Sequence, residues 1–266
     1  MRSFLRFLIL MTCLCAIPKA TAQNDVADIP SQKLQAANDP NKTYFLIGPA
    51  KNDKLPAGGY KLLLVLPGGD GSASFLPFVK RIYKHAAPDG YLLAQLVAPR
   101  WTPHQQIVWP HSKNKVPEMK FTTEQFIEAV VADLHKRHKI NPKYVFTLSW
   151  SSSGPAAYAT SLQQKTAVTG SYIAMSVFNE KYLPPLSRAK GRTYYIEHSP
   201  DDKVCPFWMA RRAGQQLTKA GAKVNLATYK GGHGWRGNVY GRICNAIVWL
   251  QENTKRDIEQ SVEADG

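Results

Sequence analysis

From Thr43 to Tyr229 the chain alternates short runs of β-branched, aliphatic or aromatic residues with longer stretches of helical periodicity, and that alternation restricts the fold more than any other feature. Strands that alternate with helical patterns pair side by side in one direction, because each helix carries the chain back to the starting edge of the sheet. The runs predict strands over Thr43–Ile47, Tyr60–Leu66, Leu92–Ala98, Tyr144–Leu148, Ser171–Val177, Thr193–Glu197 and Val224–Tyr229. Several are apolar throughout, as strands covered on both faces must be. Between them, Phe126, Val130 and Leu134 recur at every fourth position of a helix predicted over Thr123 to Lys139. Thr122 and Gln125 form a capping box at its start, and Asn141-Pro142 is expected to stop it. A second helix is predicted from Phe207 to Ala220, and a third carries Ile243, Ile247 and Leu250 on one face. The fold class is therefore α/β, a mostly parallel central sheet with helices on both faces.

The ends read differently. Met1 to Ala22 has Arg2 and Arg6, then the apolar run Phe7 to Met11, then Ala20-Thr21-Ala22. This is the pattern of an export signal with its cleavage site, and it predicts a secreted or periplasmic protein with no integral membrane span once the signal is removed. Removing the first 22 of 266 residues leaves 244 and takes away three positive charges, Arg2, Arg6 and Lys19, so the formal charge falls from +15 to +12. Residues 23–41 read as a polar leader, 42–254 as one domain and 255–266 as a polar tail. Cys13 and Cys15 leave with the signal. Cys205 and Cys244 remain, as a disulfide or as two buried thiols. The basic balance suggests contact with an anionic polysaccharide or envelope. Nucleic acid is not expected, since the Lys and Arg residues are dispersed and export removes that partner.

Four segments at predicted strand ends could carry chemistry. Tyr144 to Ser149 runs as a strand into Trp150-Ser151-Ser152-Ser153-Gly154, and Pro155 can open a helix. A nucleophile on so sharp a turn needs small residues two positions before and after it, which selects Ser151 between Ser149 and Ser153. Within His198-Ser-Pro-Asp-Asp-Lys-Val-Cys-Pro206, an acid just past a strand can reach a histidine in the next loop; Asp202 is favoured, with Asp201 the alternative. Gly231-Gly-His233-Gly-Trp235 follows the last strand, and its glycines let His233 fold over a site. Leu62 to Leu66 opens into Pro67-Gly-Gly69-Asp70-Gly-Ser72, which lacks the lysine of a phosphate-binding P-loop. Its amides suit a developing oxyanion instead, with Gly69 favoured, Asp70 possible and the amide of Ser152 as second donor. His135 and His138 lie in a basic helical run and read as a solvated face, and His104 and His111, in the first long loop, could touch substrate but read rather as structural or solvent-facing.

These segments follow one another in the order glycine loop, Ser151, Asp202, His233, and in this they resemble the α/β-hydrolase superfamily. Within it the chain is similar to secreted esterases of the polyhydroxybutyrate depolymerase-like and phospholipase/carboxylesterase-like groups. The Gly-x-Ser-x-Gly motif of that family is matched by Ser149 to Ser153 with serines for both glycines. Its His-Gly-x-x-Asp-x-x-Val-Pro-like acid segment is matched by His198 to Pro206. The resemblance implies a serine esterase acting through Ser151, His233 and Asp202 on a small-molecule or polymeric ester, with no metal or organic cofactor. Trp101, Trp109, Trp150 and Trp235 are candidate substrate walls, and the loops Arg100–Phe121 and Asn179–Gly191 could border the site, the first as a lid. Two other readings are a prolyl-oligopeptidase-like peptidase and a catalytically inactive hydrolase fold that binds an acidic polymer.

Overall fold

A computed structural model describes residues 25–49 and 54–264, with side chains described to Thr254; the expected signal and its cysteines lie outside these residues. Strands β1 (Ser31–Gln35), β2 (Thr43–Ile47), β3 (Tyr60–Leu66), β4 (Tyr91–Leu96), β5 (Ile140–Trp150), β6 (Gly170–Ala174), β7 (Thr193–His198) and β8 (Lys223–Thr228) form one sheet in the order β1-β2-β4-β3-β5-β6-β7-β8. From β4 to β8 all pairings are parallel, whereas β2 is antiparallel to both β1 and β4.

The alternation of side chains along each strand divides the apolar runs between two layers. In β3, Leu63 and Val65 face α1 (Leu76–His85) and α5 (Val239–Ala264), where Val79, Ile82, Ile243, Ile247 and Leu250 are buried. Leu62, Leu64 and Leu66 face α2 (Thr123–Arg137), packing with Phe126, Ile127, Val130 and Leu134. Further along the same face, α3 (Gly154–Ser161) and α4 (Phe207–Lys219) cover Ile173, Tyr194 and Ile196. Each fully buried Leu contributes about 1.5–3 kcal/mol relative to exposure, so the paired layers explain why these strands are apolar from end to end.

The structure departs from the sequence-based expectations at three places. The polar leader is part of the domain: β1 extends the sheet, Val26 and Ile29 are buried in the core, and Asp25 and Asp28 pair with Arg81 and Lys84 of α1. β1 was hidden because only Leu34 of its five residues is buried. Helix α2 has the expected capping box but stops at Arg137, and Asn141-Pro142 belong to β5, whose first residue, Ile140, pairs with Tyr60. At the carboxyl end, α5 continues past Asn253 to Ala264, into the stretch read as a polar tail.

No helix among the described residues is long and apolar enough to cross a membrane. Cys205 and Cys244 are both free thiols, so the disulfide alternative is not realised. Cys205 lies in the loop between β7 and α4, while Cys244 sits on α5, packed against the layer that also holds α1.

Candidate active site

The four segments meet at the carboxyl ends of β3, β5, β7 and β8, where an open parallel sheet presents loops rather than strand backbone. Trp150 closes β5, and the chain turns at Ser151 into a short 3-10 turn, Ser151–Ser153, and then α3. Ser151 has φ 55°, in the left-handed region that a side chain enters only under constraint. Two serines supply that constraint: Ser176 Oγ donates to the Ser151 carbonyl at 2.6 Å, and Ser153 Oγ accepts from the Trp150 amide at 3.0 Å. The Ser153 hydroxyl also lies 2.7 Å from the Leu66 carbonyl, tying the turn to the end of β3. The serine that replaces the usual glycine at this position thus bonds across the turn.

His233 Nε2 lies 3.0 Å from Ser151 Oγ, and His233 Nδ1 lies 2.8 Å from Asp202 Oδ2. Asp202 is the acid that reaches the histidine, whereas Asp201 is exposed to solvent. The other oxygen of Asp202, Oδ1, accepts the amides of Val204 and Cys205, each at 2.8 Å. Burial would raise the Asp202 pKa, but these amides and His233 outweigh it and hold the carboxyl below its ordinary range. The histidine loop is fixed from below: the Tyr229 hydroxyl lies 3.0 Å from the carbonyls of Gly232 and Gly234, one on each side of His233. Ser199 Oγ accepts the Gly232 amide at 3.1 Å, joining the histidine loop to the acid loop.

The glycine loop is held by its carbonyls. Trp109 Nε1 donates to Pro67 O at 2.9 Å, Gly71 N to Gly68 O at 3.0 Å, Ser152 Oγ to Gly69 O at 2.9 Å and Gln95 Nε2 to Ser72 O at 3.2 Å. The Gly68–Gly71 bond closes a tight turn with Gly69 at φ 58°. Gly68 has no room for a side chain, since a Cβ there would come within 2.5 Å of Trp150. The Gly69 amide has no acceptor among the described residues.

The four tryptophans expected near substrate divide. Trp150 is 5% exposed and packs edge-on against Phe75, Phe78 and Trp235, so it forms the floor of an aromatic wall rather than its face. Phe75, Phe78 and Trp235 are half-buried, and the Phe75 ring stands beside Gly69; the two phenylalanines were not picked out in the sequence because they begin a helix with no motif of its own. Trp101 stacks edge-on against Phe121 and borders a hollow of about 560 Å³ with Arg100, Thr102 and Pro103. Trp109 is 1% exposed, which leaves it no face for a ligand; its indole instead anchors Pro67. The loop around it is packed against the sheet, with buried Gln105 bonding Trp101 N, Pro99 O and Ile107 O. A larger hollow of about 650 Å³, lined by Tyr83, Lys84 and Asp89 among others, lies beside the start of β4, away from these groups.

Asp202, Cys205 and His233 are the one group of potential metal ligands close enough together among the described residues. Asp202 and His233 already bond each other and their loop partners, and burial pushes the Cys205 thiol up to about 11. The arrangement therefore suits proton transfer along a Ser–His–Asp line better than ligation.

No protein-family model matches the sequence, and no curated protein matches it. Solved structures do. Fungal esterases from Rhizomucor miehei align with a TM-score of 0.63 at 14% identity, over 90% of this chain and 87% of theirs. A bacterial heroin esterase aligns with a TM-score of 0.63 at 15% identity, over 86% of each chain. An alpha/beta hydrolase enzyme from a Medee basin deep-sea metagenome library aligns with a TM-score of 0.58 at 14% identity, over 86% of this chain and 99% of that one. With its strand order and parallel pairing, the chain has the α/β-hydrolase fold.

Proposed function

We propose that the chain is an exported serine hydrolase that cleaves carboxylic esters through an acyl-enzyme. The observation that carries this reading is the unbroken line from Ser151 Oγ through His233 to Asp202, set on a left-handed turn at the end of β5. His233 Nε2 takes the proton of Ser151 as Oγ bonds to the ester carbonyl carbon. Asp202 accepts a hydrogen bond from Nδ1–H throughout, the proton staying on the ring, so Nε2 is the nitrogen free to act as base. The tetrahedral oxyanion is stabilised by the amides of Gly69 and Ser152. The bond to the alcohol oxygen then breaks, His233 returns its proton to that leaving group, and water repeats the sequence to free the acid.

Peptide geometry favours Gly69 over Asp70 as the first donor. The Gly69 carbonyl accepts from Ser152 Oγ, and in a trans peptide the Asp70 N–H points the opposite way, away from the nucleophile turn. The aromatic wall of Phe75, Phe78 and Trp235 suits an apolar or aryl acyl group, with Trp101 bordering a second surface for a larger ester. The esterases among the structural neighbours agree with this reading. A mature charge of +12 suits work near an anionic polysaccharide or envelope after export.

The test compares short-chain nitrophenyl esters with proline-containing peptide amides, and wild type with Ser151→Ala. Ester turnover that falls by about three or more orders of magnitude in kcat is expected, together with loss of fluorophosphonate labelling. Preferred cleavage of the amides would favour a peptidase, and an unlabelled Ser151 in folded protein would reject the nucleophile.

A further inference from the structure

Asp202 receives more donors than the line to Ser151 accounts for. His198, the last residue of β7, is 1% exposed, and its Nε2 lies 2.7 Å from Cys205 O and 3.2 Å from Asp202 Oδ2. A carbonyl oxygen can only accept, so Nε2 carries the ring proton and presents it between the two oxygens. The other nitrogen, Nδ1, is buried with no partner among the described residues. A second proton there would be a charged donor stranded without an acceptor. Burial, the largest influence, accordingly pushes the His198 pKa below the usual histidine value, with His233 adding to it and the Cys205 carbonyl and Asp202 opposing. The Phe207 ring, 6.0 Å away, contributes no charge. His198 is thus a neutral donor held against the triad acid.

We propose that His198 is a positioning residue whose Nε2–H shares Asp202 Oδ2 with His233 and so sets how much of the carboxylate charge His233 meets. The inference rests on the triad reading above. The carboxylate is already pinned through Oδ1 by two amides, so removing His198 leaves its orientation in place. What changes is the charge. Oδ2 then has His233 as its one imidazole partner, the imidazolium is favoured, and a higher pH is needed to free the base.

Three substitutions in the mature chain separate a donor at Nε2 from mere bulk. His198→Gln places an amide nitrogen near the Nε2 position, His198→Asn stops short at the Nδ1 position, and His198→Phe keeps a ring without a donor. The readouts are the titration midpoint of the His233 ring nitrogens by ¹⁵N NMR and the acid limb of kcat/KM on nitrophenyl acetate. Asn and Phe are expected to move both upward by about half to one pH unit, with KM nearly unchanged, whereas Gln stays at the wild-type values. An unmoved midpoint in Asn and Phe, or an equal shift in Gln and Asn, overturns the proposal. Should the Phe variant fail to fold by circular dichroism, the Gln and Asn pair still decides it. A shifted midpoint in a chain without Ser151-dependent turnover would uphold the coupling and reject the esterase reading; an unmoved midpoint with that turnover intact would do the reverse.

Discussion

The two halves of the site are built from different bonds. At the ends of β3 and β5, the Ser151 turn and the glycine loop are held by neutral donors on backbone carbonyls: Ser153 Oγ on Leu66, Ser152 Oγ on Gly69, Trp109 Nε1 on Pro67 and Ser176 Oγ on Ser151. At the ends of β7 and β8, the acid and histidine loops are organised around one buried carboxylate, that of Asp202, with His198, His233 and two amides directed at it. A neutral bond keeps its strength over the whole working pH range, while a carboxylate holds its partners only when ionised. The first half is held by neutral bonds alone, whereas the second adds a charged acceptor to the neutral bonds of Tyr229 and Ser199.

The largest effect should come from removing that charge while keeping its shape. Asp202→Asn is expected to lower kcat on a nitrophenyl ester by about three to four orders of magnitude, with KM little changed, because the amide no longer stabilises the imidazolium. Retention of more than a tenth of the activity would show that the two halves are not distinct in kind.

In the neutral half a smaller effect is expected. Ser152→Ala keeps the Ser152 amide but releases Gly69 O, and kcat should fall by about tenfold with the same pH profile as wild type. Ser153→Ala should act on stability instead. It strands the buried Trp150 amide and Leu66 carbonyl, and a loss of about 1–3 kcal/mol in urea unfolding is expected, independent of pH between about 5 and 8.

The smallest effect concerns acid stability. The native pKa of Asp202 is depressed below the ordinary 3.8 by its donors, despite burial. Its contribution to stability is therefore complete above that value and disappears as pH falls through the lower native one. The difference in Tm between wild type and Asp202→Asn should accordingly narrow as pH falls below roughly 4 and through the lower native value, while the corresponding difference for Ser153→Ala should not.

Much of this could be read in the chain because apolar runs and strained turns leave local traces. Tyr60–Leu66 is a strand at its predicted bounds, since a buried parallel strand must be apolar along its length, and Thr43–Ile47, antiparallel to both neighbours, also keeps its predicted bounds. Ser151 was marked by the small residues at 149 and 153, a requirement local to the turn. β1 was not legible, because an edge strand with one buried residue has no apolar pattern to show. Trp109 was misjudged for the converse reason: a large aromatic in a loop looks available to substrate until the fold buries it beneath Pro67.

The sequence by itself determined the alternation of strands and helices, the glycine loop and the candidates Ser151 and His233, for each depends on the type and spacing of neighbours in the chain. Only the tertiary structure decided between Asp201 and Asp202, kept Cys205 and Cys244 apart, and brought His198 to the acid. Those outcomes depend on where a loop carries a side chain relative to residues from another strand, over distances of an ångström or two. Such distances are set by the packing of the whole sheet, and no local pattern records them.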